Sequence, residues 1–131
     1  DQGDERRAID QTMTKLRNFV EETGCGMILV SHLRRPQGDK GHENGAQTAL
    51  SQLRGSHSIP QLSDVCLGLE RDQQTADSTE GTTVRVLKNR FTGWCGAVGE
   101  VRYEESTGRM LELSSNKTTS TKVDDSFETD F

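Results

Sequence analysis

The chain has 131 residues, enough for one domain of ordinary size, of which 30% are hydrophobic and 28% charged. So small an apolar share means that part of the chain is solvated tail or loop, or that the domain leans on a partner. The net charge of −5 argues by its sum against nucleic acid as a ligand, yet residues 34–40 and 85–90 are basic while the end of the chain is acidic.

No apolar run reaches the roughly 20 residues that cross a bilayer, and no signal peptide opens the chain, so no membrane partner is expected. The first residue is Asp rather than Met, from which a fragment or processed product is expected. Cys25, Cys66 and Cys95 are widely spaced, and none forms a C-x-x-C pair. Reduced thiols in a cytosol-like compartment follow from that pattern.

Ile9, Met13, Leu16 and Val20 recur at helical spacing with Phe19 beside them, which predicts a first helix. Asp1 or Asp4 is expected to cap its start and Gly24 to stop it after Thr23. Residues 27–30, Met27-Ile28-Leu29-Val30, form a continuous apolar run ending at Ser31-His32. A run without alternation predicts a strand covered on both faces, as in a parallel sheet, and ligands bind at the carboxyl ends of such strands. His32 and the loop after it therefore fall where chemistry is expected.

Residues 34–47 lack periodicity and contain Pro36, Gly38, Gly41 and Gly45, so a mobile loop is expected, carrying Arg34, Arg35 and Lys40. Residues 65–69 read as a second buried strand weakened by Gly68. Residues 82–89 read as a third, with Val84 and Val86 on one face and Arg85 and Leu87 on the other. After a turn at Phe91-Thr92-Gly93, residues 98–103 alternate as an edge strand, and residues 110–113 close a hairpin across Ser106-Thr107-Gly108. The resulting expectation is an α/β core over residues 1–113, mostly parallel with an antiparallel hairpin at its C-terminal end. A disordered acidic tail is expected over 114–131.

The sequence contains no G-x-x-x-x-G-K-[ST] and no apolar strand ending in an Asp placed to hold magnesium after such a loop. A self-contained nucleotide site is therefore not expected. His32 follows a predicted strand directly, where backbone bonding is the ordinary role of a histidine and chemistry the rarer one. The basic, glycine-rich loop suits phosphate-backbone contact, because cations neutralise phosphates and glycine amides approach them closely; a solvated surface turn is the alternative. Arg54 and Gln61 could contact a substrate or tie loops together. Lys88-Asn89-Arg90 projects two cations from a strand end, either as groups donated to a neighbouring subunit's phosphates or as a charged edge that discourages aggregation.

In order, VSHLRRP (30–36), QLRGSHSIPQLSD (52–64), LERDQQ (69–74) and VRVLKNRFTGWCG (84–96) resemble the helicase domain of the bifunctional primase-helicases of T-odd podophages, and more distantly DnaB and the mitochondrial Twinkle helicase. The four motifs stand at near-identical spacing, and the resemblance runs from Asp4 to Phe131. It implies the C-terminal half of a RecA-like core of the P-loop NTPase type, assembling as a hexameric ring on single-stranded DNA. The implied activity is nucleotide-driven 5′–3′ unwinding with magnesium and ATP or dTTP, in the cytoplasm of an infected bacterium.

By the same resemblance His32 looks like the switch histidine that senses the γ-phosphate, and Arg34 and Lys40 like loop residues on the DNA backbone. Where the family usually has a lysine between them, this chain has Gly38. Arg54, Gly55 and Ser56 fall in the following motif near the central channel, and Gln61 matches a glutamine of the nucleotide–DNA coupling region. Pro60 stands where the phage enzymes often have Arg, and no role carries over to it. Arg71 and Arg90 look like residues offered to the neighbouring subunit's nucleotide, with Arg90 the arginine finger and Lys88 its companion. Phe131, Asp130 and Glu128 look like an acidic tail that docks on the replicative DNA polymerase. The alternatives are a non-catalytic, truncated RecA-like remnant and a small DNA- or polymerase-binding module.

Overall fold

The computed structural model describes residues 2–38, 40–53, 57–74 and 81–113. The expected tail at 114–131 lies outside them, as do Arg54, Gly55 and Ser56.

The first element, α1, spans Gln2–Thr23. Its inward face follows the apolar spacing: Met13 is buried, and Ile9, Leu16 and Val20 are half-buried beside the polar Asp10 and Arg17. Asp4 lies inside the first turn rather than at the cap, where with Glu5 it offsets the positive end of the helix dipole. Gly24 ends the helix in the left-handed region, at φ +67°, and its N–H donates to the Val20 carbonyl at 2.9 Å.

The strand expected at 27–30 is absent. These residues are extended coil, and Ile28 and Val30 are 96% and 89% exposed. A buried parallel strand is held by ladders on both sides and by layers on both faces. Among the described residues nothing pairs with this segment, so its apolar side chains face solvent.

Residues 34–38 and 40–47 are irregular, as expected, but they are stitched down rather than loose. Leu33 bridges Leu53, and the Arg34 N–H donates to the Gln52 carbonyl at 2.7 Å. Asn44 bridges Asp72, and Gln73 donates its N–H to the Glu43 carbonyl at 2.8 Å. A single 3₁₀ turn, Leu50–Gln52, leads to a short helix α2, Ser58–Leu62, whose buried Ile59 packs toward α1.

The sheet consists of β1 (Val65–Glu70), β2 (Thr82–Asn89), β3 (Gly96–Glu104) and β4 (Arg109–Leu113). The strands lie in sequence order and every pair is antiparallel, which overturns the expected mostly parallel sheet. The reason is connection length. Parallel neighbours need a crossover of a dozen or more residues, whereas residues 90–95 and 105–108 are turns. The expected C-terminal hairpin is present, with Gly108 at φ +69° donating its N–H to the Glu104 carbonyl at 2.8 Å.

Gly68 is required by a close approach rather than being a weak point: a Cβ there would collide with the Thr48 side chain. Thr48 is the most buried polar residue described, at 2% exposure. Its N–H and hydroxyl both donate to Glu70 Oε1, at 2.8 and 2.9 Å, so the end of the loop is pinned to β1. Burial opposes ionisation of Glu70, but the Arg85 guanidinium and Thr48 more than offset it and hold the carboxyl below its usual range.

The core is small. Met13, Ala46, Ile59 and Val86 are its buried apolar members, while Val65, Leu67 and Leu69 of β1 leave a stripe exposed. Among the described residues no helix is long and apolar enough to cross a membrane.

Candidate functional site

A polar cluster lies where α1, α2 and the end of β2 meet. β2 carries Lys88 inward and then Arg90 outward, because Asn89 begins a turn: its side-chain oxygen accepts the Phe91 N–H at 3.1 Å, and its carbonyl accepts that of Gly93 at 2.8 Å. The Lys88 ammonium donates to carbonyls of Pro60, Ser63 (2.9 Å) and, at longer range, Gln61 (3.4 Å). Lysine at a helix C-terminus supplies protons to carbonyls that have no partner within the helix. Lys88 thus holds α2 against β2 and does not project freely from the edge.

Arg90 is joined to Asp64 twice. Its N–H donates to the Asp64 carbonyl at 2.9 Å and its Nη1 to Asp64 Oδ1 at 2.9 Å. The other oxygen, Oδ2, accepts Arg17 Nη1 of α1 at 2.8 Å, and Arg17 Nε donates to Glu21 Oε1 at 2.8 Å. The Arg90 guanidinium, and then that of Arg17, hold the Asp64 carboxyl below the usual carboxylate range. With the side chain 57% exposed, the rest of the Arg90 guanidinium faces outward from an anchored base.

Gln61 sits on α2 within this clamp with its side chain exposed, so Gln61, Lys88 and Arg90 belong to one unit. Arg71 is exposed just after β1. His32 is exposed, and its carbonyl accepts the Ser31 hydroxyl at 3.5 Å. Arg34 and Lys40 are exposed as well. Arg34 is fixed by its backbone, whose carbonyl lies 3.1 Å from His42 Nε2. Arg34 also lines a small cleft with Arg6, Ser51, His57 and Pro60, beside Leu50 and Leu53. That cleft brings a cation of α1 to the basic loop and to the foot of α2. Glu128, Asp130 and Phe131 lie outside the described residues.

Sequence reasoning missed Asp64, Arg17, Arg6, Glu70 and Arg85. Asp64 carried one usable signal, an acid directly preceding the apolar run that becomes β1. Arg17 carried only its spacing to Glu21, which any solvated helix face shares.

One kind of chemistry fits the arrangement. Exposed arginines on rigid supports can neutralise phosphate oxygens, and arginine offers several planar donors for doing so. Proton transfer is not suggested, because the carboxylates of the cluster are engaged by guanidinium groups. Among the described residues no three His, Cys, Asp or Glu side chains gather where they could hold a metal ion.

No family model matches the chain. It is similar to the DNA helicase/primase of Enterobacteria phage T3, with 44% identity over 115 residues. The aligned stretch is 88% of this chain and 20% of the phage protein, so the chain spans about a fifth of that relative's length.

Proposed function

We propose that this chain is the C-terminal part of the RecA-like core of a phage primase-helicase. In this reading it works as one segment of a hexameric ring that unwinds DNA 5′–3′ at the expense of ATP or dTTP with magnesium. The observation that carries the reading is the 44% identity over 88% of the chain to the phage T3 DNA helicase/primase. Two structural features support it. Arg90 presents its guanidinium from an anchored strand end, as a cation donated to a neighbouring subunit's nucleotide must. The apolar residues 27–30 and the β1 stripe leave more hydrophobic surface open than a small free-standing domain usually does, which suits a segment of a larger core.

The division of labour in this reading rests on the motif resemblance. Arg90, with Arg71 nearby in the motif order, offsets charge that develops on the transferred phosphoryl group. Lys88 keeps Gln61 and α2 in step with Arg90 through the carbonyls it bonds. His32 stands at the entrance to the basic loop and reports the γ-phosphate to it. Arg34 and Lys40, with Arg54, Gly55 and Ser56, meet the DNA backbone, where each neutralised phosphate contributes salt-dependent affinity. The tail residues Glu128, Asp130 and Phe131 dock the helicase on its replicative polymerase.

The test uses a full-length helicase/primase carrying this segment. Arg90→Ala should lower DNA-stimulated nucleotide hydrolysis on the order of 10³-fold or more while rings still assemble. Mixing Arg90→Ala subunits with subunits whose nucleotide site is disabled should restore part of the rate. Mixed rings with no recovery at any ratio would remove Arg90 from this role.

A further inference from the structure

Three features of the molecule lie outside the roles described above: the exposed apolar run at 27–30, the Thr48–Glu70–Arg85 network, and the carboxylate of Asp64. The apolar run has nothing on it that says what covers it, and the Glu70 network is fully explained as the joint between loop and sheet. Asp64 is different, because it touches a residue to which chemistry is assigned.

We infer that Asp64 is the positioning residue for Arg90, fixing the guanidinium from inside its own subunit so that its free edge meets the nucleotide of the next. The inference rests on the reading of Arg90 as a donated cation. Arginine has several rotatable bonds and loses considerable freedom when held, so an unsupported strand-end arginine would sample many orientations. Here the backbone at 90 is tied to the carbonyl of residue 64, and Nη1 is tied to the carboxylate of the same residue. One amino acid thus fixes both ends of the Arg90 side chain.

The carboxylate is itself oriented, since its second oxygen is held by Arg17 from α1. Lys88 fastens the preceding carbonyls to the same strand, so residues 60–64 cannot swing away from 88–90 without losing several bonds at once. With the side chain 57% exposed, the remaining Arg90 nitrogens are open to a phosphate. An exposed ion pair of this kind adds little to stability. Its effect is orientation, and misplacement of a catalytic cation by about 1 Å costs on the order of 10²-fold in rate.

The experiment places Asp64→Asn in one or the other partner of a mixed ring of full-length helicase/primase carrying this segment. One subunit type carries Arg90→Ala with an intact nucleotide site. The other keeps Arg90 but has its nucleotide site disabled by a substitution outside this segment. Asp64→Asn in the subunit that donates Arg90 should lower the recovered hydrolysis rate by about 10-fold or more, with KM for the nucleotide unchanged. The same substitution in the Arg90→Ala subunit should leave the recovered rate as it was, because there is no guanidinium left to orient. Asparagine keeps the shape of aspartate, and thermal melts of each variant check that both fold. An equal loss in both placements, or no loss in either, overturns the inference while leaving Arg90 as the donated cation. Parent rings that show no recovery overturn the Arg90 reading and the inference with it.

Discussion

Glu70 receives the Arg85 guanidinium on both carboxylate oxygens, at 2.7 and 3.2 Å, while its Oε1 also accepts both donors of Thr48. The Glu70 side chain is 8% exposed. One acid therefore joins the end of the basic loop to two adjacent strands, β1 and β2. Removing either charged partner leaves the other nearly buried and unmatched.

Glu70→Gln and Arg85→Leu should each destabilise the fold by about 2 kcal/mol at neutral pH, read from urea unfolding. The pH dependence has a definite sign. The folded carboxyl is lowered below the value of about 4.3 expected for the unfolded chain, so its stabilisation is complete above that range. It is lost as pH falls through the lowered folded-state value. The unsubstituted protein should thus lose stability below about pH 4 more steeply than Glu70→Gln does. Parallel acid-side slopes for the two proteins would contradict this.

Gly68→Ala adds a methyl group where the Thr48 side chain already sits. In an ordinary strand that substitution is neutral or favourable, but here overpacking should cost about 1–3 kcal/mol. Thr48→Ala in the same chain should recover part of the loss, because it removes the hydroxyl that makes the closest contact, though the Cβ of residue 48 stays near, and gives up the hydroxyl bond to Glu70. Strictly additive losses in the double variant, measured by denaturant midpoints, would show that the two side chains do not collide.

Lys88→Met keeps the aliphatic stem and removes the ammonium that bonds the carbonyls at the end of α2. A loss of about 1.5 kcal/mol is expected, typical of a hydrogen-bonded charged group. Hydrogen exchange should quicken at the amides of Gln61 and Ser63, which bond the His57 and Ile59 carbonyls inside α2. Exchange unchanged at both amides would mean that the lysine does not hold α2.

Phe131→Ala, in a full-length protein, tests the proposed polymerase contact. An acidic segment with the aromatics Phe127 and Phe131 suits encounter by charge and anchoring by a ring. The substitution should weaken polymerase affinity by about 10-fold or more at low salt, a loss typical of an interface hot spot. Added salt should weaken what remains. Equal affinities of the two proteins for the cognate polymerase would end that role.

Local pattern was enough to locate α1 with its Gly24 stop and, to within two residues at each end, the strands expected at 65–69, 82–89, 98–103 and 110–113, because periodicity and turn residues act over a few positions. The motifs at 30–36, 52–64, 69–74 and 84–96 were equally legible, since side-chain identity and order carry them. The pairing sense of the sheet was not, because an apolar run reads alike in a parallel strand, an antiparallel strand or an unpaired segment. Composition alone makes residues 27–30 read as a covered strand, and only the absence of neighbours among the described residues leaves them open.

Nor did any local signal connect Asp64 with Arg17 or Arg90, or Glu70 with Thr48. Those pairs lie 47, 26 and 22 positions apart. A carboxylate's partner is set by which chain segments the fold brings within about 3 Å, a distance that hydrogen bonding requires and sequence spacing does not encode. Sequence alone determined which cations the chain possesses. Tertiary structure decided that Lys88 turns inward to hold a helix while Arg90, two residues on, faces outward from a carboxylate that grips its base.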